Sequence, residues 1–196
     1  VILIISVVIH EISHGYAAEM LGDPTARNAG RLTLNPLKHL DPFGSILLPG
    51  LMILLKTGFV FGWAKPVPYN PDNLRNKRWG TLIVASAGII ANLFIAVIFG
   101  LVIRALLAYG TPSESTLAIM STIVFVNILL AIFNLVPIPP LDGSKILFSF
   151  LPYRLRWIES ALERYEFFVL IIFLLFIWQY FAPVIFFLFK GLTGIL

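Results

Sequence analysis

The chain of 196 residues contains no cysteine. That excludes disulfides, thiol chemistry and any metal site built on sulfur, leaving only His, Asp and Glu as protein ligands. Charge is also scarce. Asp, Glu, Lys and Arg make up 12% of the residues, against roughly 25% in an average soluble domain. Hydrophobic residues make up 59%, Phe167–Ile177 is an unbroken apolar run, and Leu117–Leu135 carries no charge. These features exclude a soluble single domain and point to a chain that crosses a membrane several times. The 14 Lys and Arg exceed the 10 Asp and Glu, and in such a protein a basic excess sets orientation, so no nucleic-acid partner is expected. The chain opens at Val1 inside an apolar stretch, without a basic flank or a small-residue cleavage site. It therefore reads as a piece of a longer protein, and its start does not read as a signal peptide.

The pattern predicts one membrane-embedded, all-α unit over 1–196 with about four transmembrane helices. Residues 1–21 form the first, about 31 Å long at 1.5 Å per residue and closed by Gly22, Asp23 and Pro24. Residues 80–104 and 117–137 form two core helices, the second ended by Pro137, and 166–189 form a C-terminal helix with a break at Pro183. Between the first two helices, 22–79 is rich in Gly and Pro. An alternation at Arg31–Leu34 there suggests a short β-hairpin, and Ser45–Phe61 is an apolar segment interrupted by Pro49, Gly50, Lys56 and Gly58. Residues 138–165 are a polar, basic segment.

The first helix contains His10, Glu11 and His14 in the order H, E, any, any, H. A spacing of four is just over one helical turn, so both imidazoles project from one face and can bind one Zn²⁺. Glu11 lies beside them, placed to take a proton from water. A carboxylate near the centre of a membrane helix costs about 2.5–3.5 kcal/mol on insertion scales, so these three residues call for a partner, and a metal is the economical one. The third ligand is expected from another element. Asp142 is the best candidate, because Pro137, Pro139 and Pro140 end the preceding helix and leave an extended segment, which at membrane depth needs a protein or water-filled surround. His39 and Asp41 compete for the role from a breaker-rich turn near the interface.

His10–His14 followed by Gly15, together with the block Asn134–Gly143, resembles the site-2 protease family of intramembrane zinc metalloproteases. Residues 30–46 and 61–71, with Gly-Arg-Leu-Thr-Leu-Asn-Pro and Phe-Gly-Trp-Ala-Lys-Pro-Val-Pro, are similar to its compact bacterial and archaeal members. The resemblance implies zinc held by His10, His14 and Asp142, with Glu11 as the catalytic base. It also implies a compact enzyme without the PDZ insert or CBS tail of other members. Family members carry an asparagine in the middle span that Asn92 matches, although the usual Gly-Pro ahead of it reads Gly88-Ile89 here. Asn92 and Asn134 are candidates to hold a substrate backbone. Asn127, Ala131 and Asn134 share one helical face, which is expected to pack toward the bundle.

Asp142 can reach the histidines only if the first and third spans run in the same direction. That requires Ser45–Phe61 to dip into the membrane and return as a re-entrant element. Basic residues agree, with eight Lys and Arg in 22–79 and four in 138–165 against Arg104 and Lys190 opposite, which puts the active site toward the cytoplasmic side of the cell membrane. The expected function is a zinc-dependent endopeptidase acting on transmembrane protein substrates in the bilayer. A metal-ion transporter, or a membrane metal-binding protein without proteolysis, is the alternative on the same ligands.

Overall fold

A computed structural model describes residues 1–56 and 62–195. Among the described residues, four helices are long and apolar enough to cross a membrane. They are α1 (Ile2–Met20), α3 (Lys77–Tyr109), α4 (Glu114–Leu135) and α7 (Glu166–Thr193), and the shorter helices between them include α2 (Pro42–Leu54), α5 (Asp142–Phe150) and α6 (Arg156–Arg164). Apolar runs of this length become helices because hydrocarbon offers backbone groups no other partner. Capping side chains set their starts. Asn76 accepts from the Trp79 amide at α3, and Ser113 from the Thr116 amide at α4. With Asn76 as cap, α3 begins three residues before the expected Gly80 and runs on to Tyr109.

Side-chain contacts give the helices their directions. Ser6 meets Asn92 and His14 meets Val84, so α1 and α3 are antiparallel; Asn127 meets Ser6 while Asp142, just past α4, meets His10 and His14, so α4 runs with α1. Ala96 and Ile103 of α3, Val124 and Ile128 of α4 and Ile185 of α7 form a buried core. Phe94, Leu101, Phe186 and Phe187 point outward and are exposed, the arrangement suited to lipid contact. The end of α1 lies beside the approach to α3, where the Arg75 amide donates to the Leu21 carbonyl at 3.0 Å.

The hairpin expectation needs revision. No strand forms among the described residues, so Arg31–Leu34 make no hairpin. The groups a ladder would use are taken by side chains: the Thr33 carbonyl accepts from His39 Nε2, the Asn35 amide donates to Thr33 Oγ1, and Arg31 turns inward to donate to the Lys65 and Pro66 carbonyls. The break expected at Pro183 falls just before it: the α-helical pattern gives way to irregular turns over Phe173–Phe181, and Pro183 sits in the first turn of the stretch Ala182–Thr193, where a missing amide costs little. Of the expected re-entrant segment Ser45–Phe61, residues 45–54 lie in the 13-residue α2, residues 55 and 56 follow it in a turn, and residues 57–61 lie outside the described residues.

Candidate metal centre

Helix α1 places His10 and His14 one turn apart on its buried face. Their Nε2 atoms lie 3.0 Å from each other, and each lies 3.1 Å from Asp142 Oδ2. Asp142 arrives by a route the proline-rich block dictates. Helix α4 ends at Leu135, a turn closes with the Leu141 amide on the Ile138 carbonyl, and Asp142 opens α5 with its side chain buried. Gly143 makes that turn possible, since a Cβ there would collide with the Leu135 and Val136 carbonyl oxygens.

The far nitrogens of both rings face acceptors. His10 Nδ1 lies 2.6 Å from Asn92 Oδ1, and His14 Nδ1 lies 2.7 Å from the Val84 carbonyl oxygen. Each neutral ring therefore carries its proton on Nδ1 and turns the lone pair of Nε2 inward. With both rings neutral, two lone pairs and a carboxylate oxygen converge. That arrangement repels itself unless a cation is shared, and the donor set of two imidazoles and one carboxylate suits zinc. Helix α3 forms the floor of the site at Gly88, where a Cβ would lie 2.6 Å from His10 Cε1 and from His14 Nε2.

A family model, Peptidase family M50, matches residues 110–177. The chain is 38% identical over 175 residues to YwhC of Bacillus subtilis, and 30% identical over 173 residues to Rip2 of Mycolicibacterium smegmatis, each named a putative zinc metalloprotease. The match covers 87% of this chain and 76% of YwhC, and 88% of this chain and 64% of Rip2. The chain belongs to peptidase family M50. No solved structure matches it.

Within this M50 chain the remaining candidates fall into distinct places. Glu11 is half-buried beside the two histidines, and its Oε2 accepts the Val67 backbone N–H at 2.8 Å. Asn92 is fully buried, its oxygen on His10 and its amide on Asn127 Oδ1 at 2.8 Å, so both ends of its side chain meet protein. Asn134 is half-buried and donates to the Leu130 carbonyl of its own helix, while Asn127 and Ala131 on the same face are buried in the bundle. His39 and Asp41 are not part of the cluster. His39 donates from Nε2 to the Thr33 carbonyl, and Asp41 caps α2 by accepting from the Phe43 and Gly44 amides. Among the described residues, His10, His14 and Asp142 are the group whose ligand atoms could hold a metal ion.

Four contributors escaped the sequence reading: the Val67 amide, the floor at Gly88, Ser6 as a partner of Asn127, and Lys145, whose Nζ lies 3.6 Å from Asp142 Oδ1. Lys145 carried a local signal, since it stands three residues after Asp142 on a helix, where side chains share a face.

Proposed function

We propose that this chain is a zinc-dependent intramembrane endopeptidase that hydrolyses peptide bonds within or beside transmembrane segments of other membrane proteins. The observation that carries the reading is the convergence of His10 Nε2, His14 Nε2 and Asp142 Oδ2, next to the carboxylate of Glu11, inside a bundle of membrane-length helices. The relatives named zinc metalloproteases support zinc as the ion and favour peptidase over transporter. His10, His14 and Asp142 would hold the zinc, which when bound supplies Lewis acidity and an open coordination position. Glu11 accepts the proton of the attacking water at a carboxylate oxygen and hands it to the leaving amine. The Val67 N–H holds that carboxylate in place. Asn134 keeps its side-chain oxygen as a candidate contact for the substrate backbone.

The substrate must present an extended stretch, because a helix hides its amides. Unwinding about one turn releases several hydrogen bonds that hydrocarbon cannot replace, so suitable substrates carry Gly, Pro or Asn near the cut. In the same reading, the segment that contains α2 dips into the bilayer and returns on the cytoplasmic side of the cell membrane. Its ends support this, since the Lys65 amide donates to the His39 carbonyl at 2.9 Å and the Trp63 amide to the Gly44 carbonyl at 3.2 Å.

Two measurements test the proposal. The purified chain, reconstituted with zinc, should cleave a labelled transmembrane peptide, and replacing the helix-weakening residues of that peptide by Leu should slow the cut. Leu40→Cys and Asn70→Cys, each the lone cysteine in the chain, should be labelled from the same side of sealed vesicles. Labelling from opposite sides would overturn the topology.

A further inference from the structure

Asn127 touches none of the three converging atoms, yet its surroundings decide which nitrogen of His10 faces them. Asn127 and Asn92 are both 0% exposed. The amide nitrogen of Asn127 lies 2.8 Å from the Ile123 carbonyl oxygen and 3.0 Å from Ser6 Oγ. A carbonyl oxygen only accepts, so the NH₂ end of Asn127 must point at Ile123, whichever way the amide would otherwise turn. Its oxygen therefore faces Asn92, and at 2.8 Å it takes a hydrogen from Asn92 Nδ2. The Ser6 carbonyl, 3.4 Å from the same nitrogen, also requires a donor there. Asn92 is thus left presenting its oxygen to His10 Nδ1 at 2.6 Å. An acceptor at that position puts the ring proton on Nδ1 and leaves the Nε2 lone pair directed at Asp142 and His14.

We infer that Asn127 is a positioning residue for the metal centre: acting through Asn92, it fixes the His10 tautomer whose Nε2 can ligate. The role has chemical consequence because a histidine free in water prefers its proton on Nε2, the form that cannot bind metal there. The polarity of the relay is set by backbone carbonyls, that of Ile123 at 2.8 Å from Asn127 and, more weakly, that of Ser6 at 3.4 Å from Asn92, both within helices and set as soon as those helices form. Three helices contribute, α1 through Ser6 and His10, α3 through Asn92 and α4 through Asn127. The relay therefore reports correct helix packing to the ligand itself. A fully buried amide pair would otherwise be a poor choice for a membrane core, where each unmatched polar group is costly.

The inference rests on the proposed reading of His10 as a zinc ligand, and its test is made without metal so that the two can fail separately. The full chain, labelled with ¹⁵N-histidine and stripped of metal, holds only three histidines, so the ring nitrogens of His10 can be assigned by NMR. In the native chain His10 should carry its proton on Nδ1. In Asn127→Leu it should shift toward the Nε2–H form, and zinc affinity, measured by chelator competition, should fall by roughly 10–100-fold. Asn127→Asp keeps an acceptor facing Asn92 and should retain the native tautomer. Should the Leu variant fail to fold, Asn127→Ala makes the same comparison in a smaller side chain with no polar group. A folded Leu or Ala variant with the native tautomer and full zinc affinity would overturn the relay. Zinc held normally after loss of His10 would instead count against the ligand assignment.

Discussion

Val67 donates its backbone N–H to Glu11 Oε2 at 2.8 Å, which ties the extended segment after residue 62 to the carboxylate beside the metal cluster. Hydrogen bonds to a charged group are worth about 1.5–3 kcal/mol, and on the proposed reading that energy orients the base. Replacing the Val67 amide by an ester removes this one donor and leaves every side chain in place. Cleavage should fall about tenfold or more, the rate equivalent of about 1.4 kcal/mol, while zinc content stays full. An ester variant that cleaves at the native rate would show that Glu11 needs no such anchor.

The second prediction concerns Gly88. A methyl group there would enter the space of both imidazoles, 2.6 Å from His10 Cε1 and from His14 Nε2. Overpacking of this kind costs about 1–3 kcal/mol and is relieved by moving the rings. Gly88→Ala should therefore lower zinc occupancy while helix content is kept. Gly50→Ala, at a position with nothing within 4 Å, should leave occupancy unchanged. Full zinc occupancy in Gly88→Ala would mean that α3 does not form the floor of the site.

The first-helix spacing was legible because the constraint on it is local: four residues carry His10 to His14 on one face whatever surrounds them. Asp142 was legible for a related reason, since Pro137, Pro139 and Pro140 must end a helix in any context. Gly88, Val67 and Asn127 belong to the other kind. Their roles exist only once α1, α3 and α4 pack, and nothing in Gly88-Ile89 or in Pro66-Val67-Pro68 announces a partner tens of residues away. Arg31–Leu34 misled because alternation predicts a strand only when the backbone is free to pair, and His39 had already claimed the Thr33 carbonyl.

A third prediction follows from Asp23, which is fully buried just past α1. It accepts from the Asn70 amide at 2.6 Å and from Asn73 Nδ2 at 2.8 Å, and so fastens the chain three residues beyond Val67 to the end of the ligand helix. Burial pushes its carboxyl up, but the bonds from Thr25, Asn73 and Asn70 outweigh it and hold the pKa below the ordinary value. A depressed folded pKa means that stability is fully present above the unfolded value of about 3.9 and is lost as pH falls through the folded one. Asp23→Asn should therefore unfold earlier than the native chain at pH 7, by about 2 kcal/mol, with the gap closing below about pH 4. A gap that persists unchanged into strong acid would assign the effect to packing and not to the carboxylate.

The central claim is that Glu11 supplies the base while His10, His14 and Asp142 supply the metal ligands, and zinc content measured alongside cleavage separates these roles in one set of variants. Glu11→Gln should keep zinc at the native level and abolish cleavage of the transmembrane peptide. His10→Ala, His14→Ala and Asp142→Ala should each lose zinc together with activity, because three protein ligands leave none to spare. Cleavage by Glu11→Gln, or full zinc in Asp142→Ala, would contradict the account.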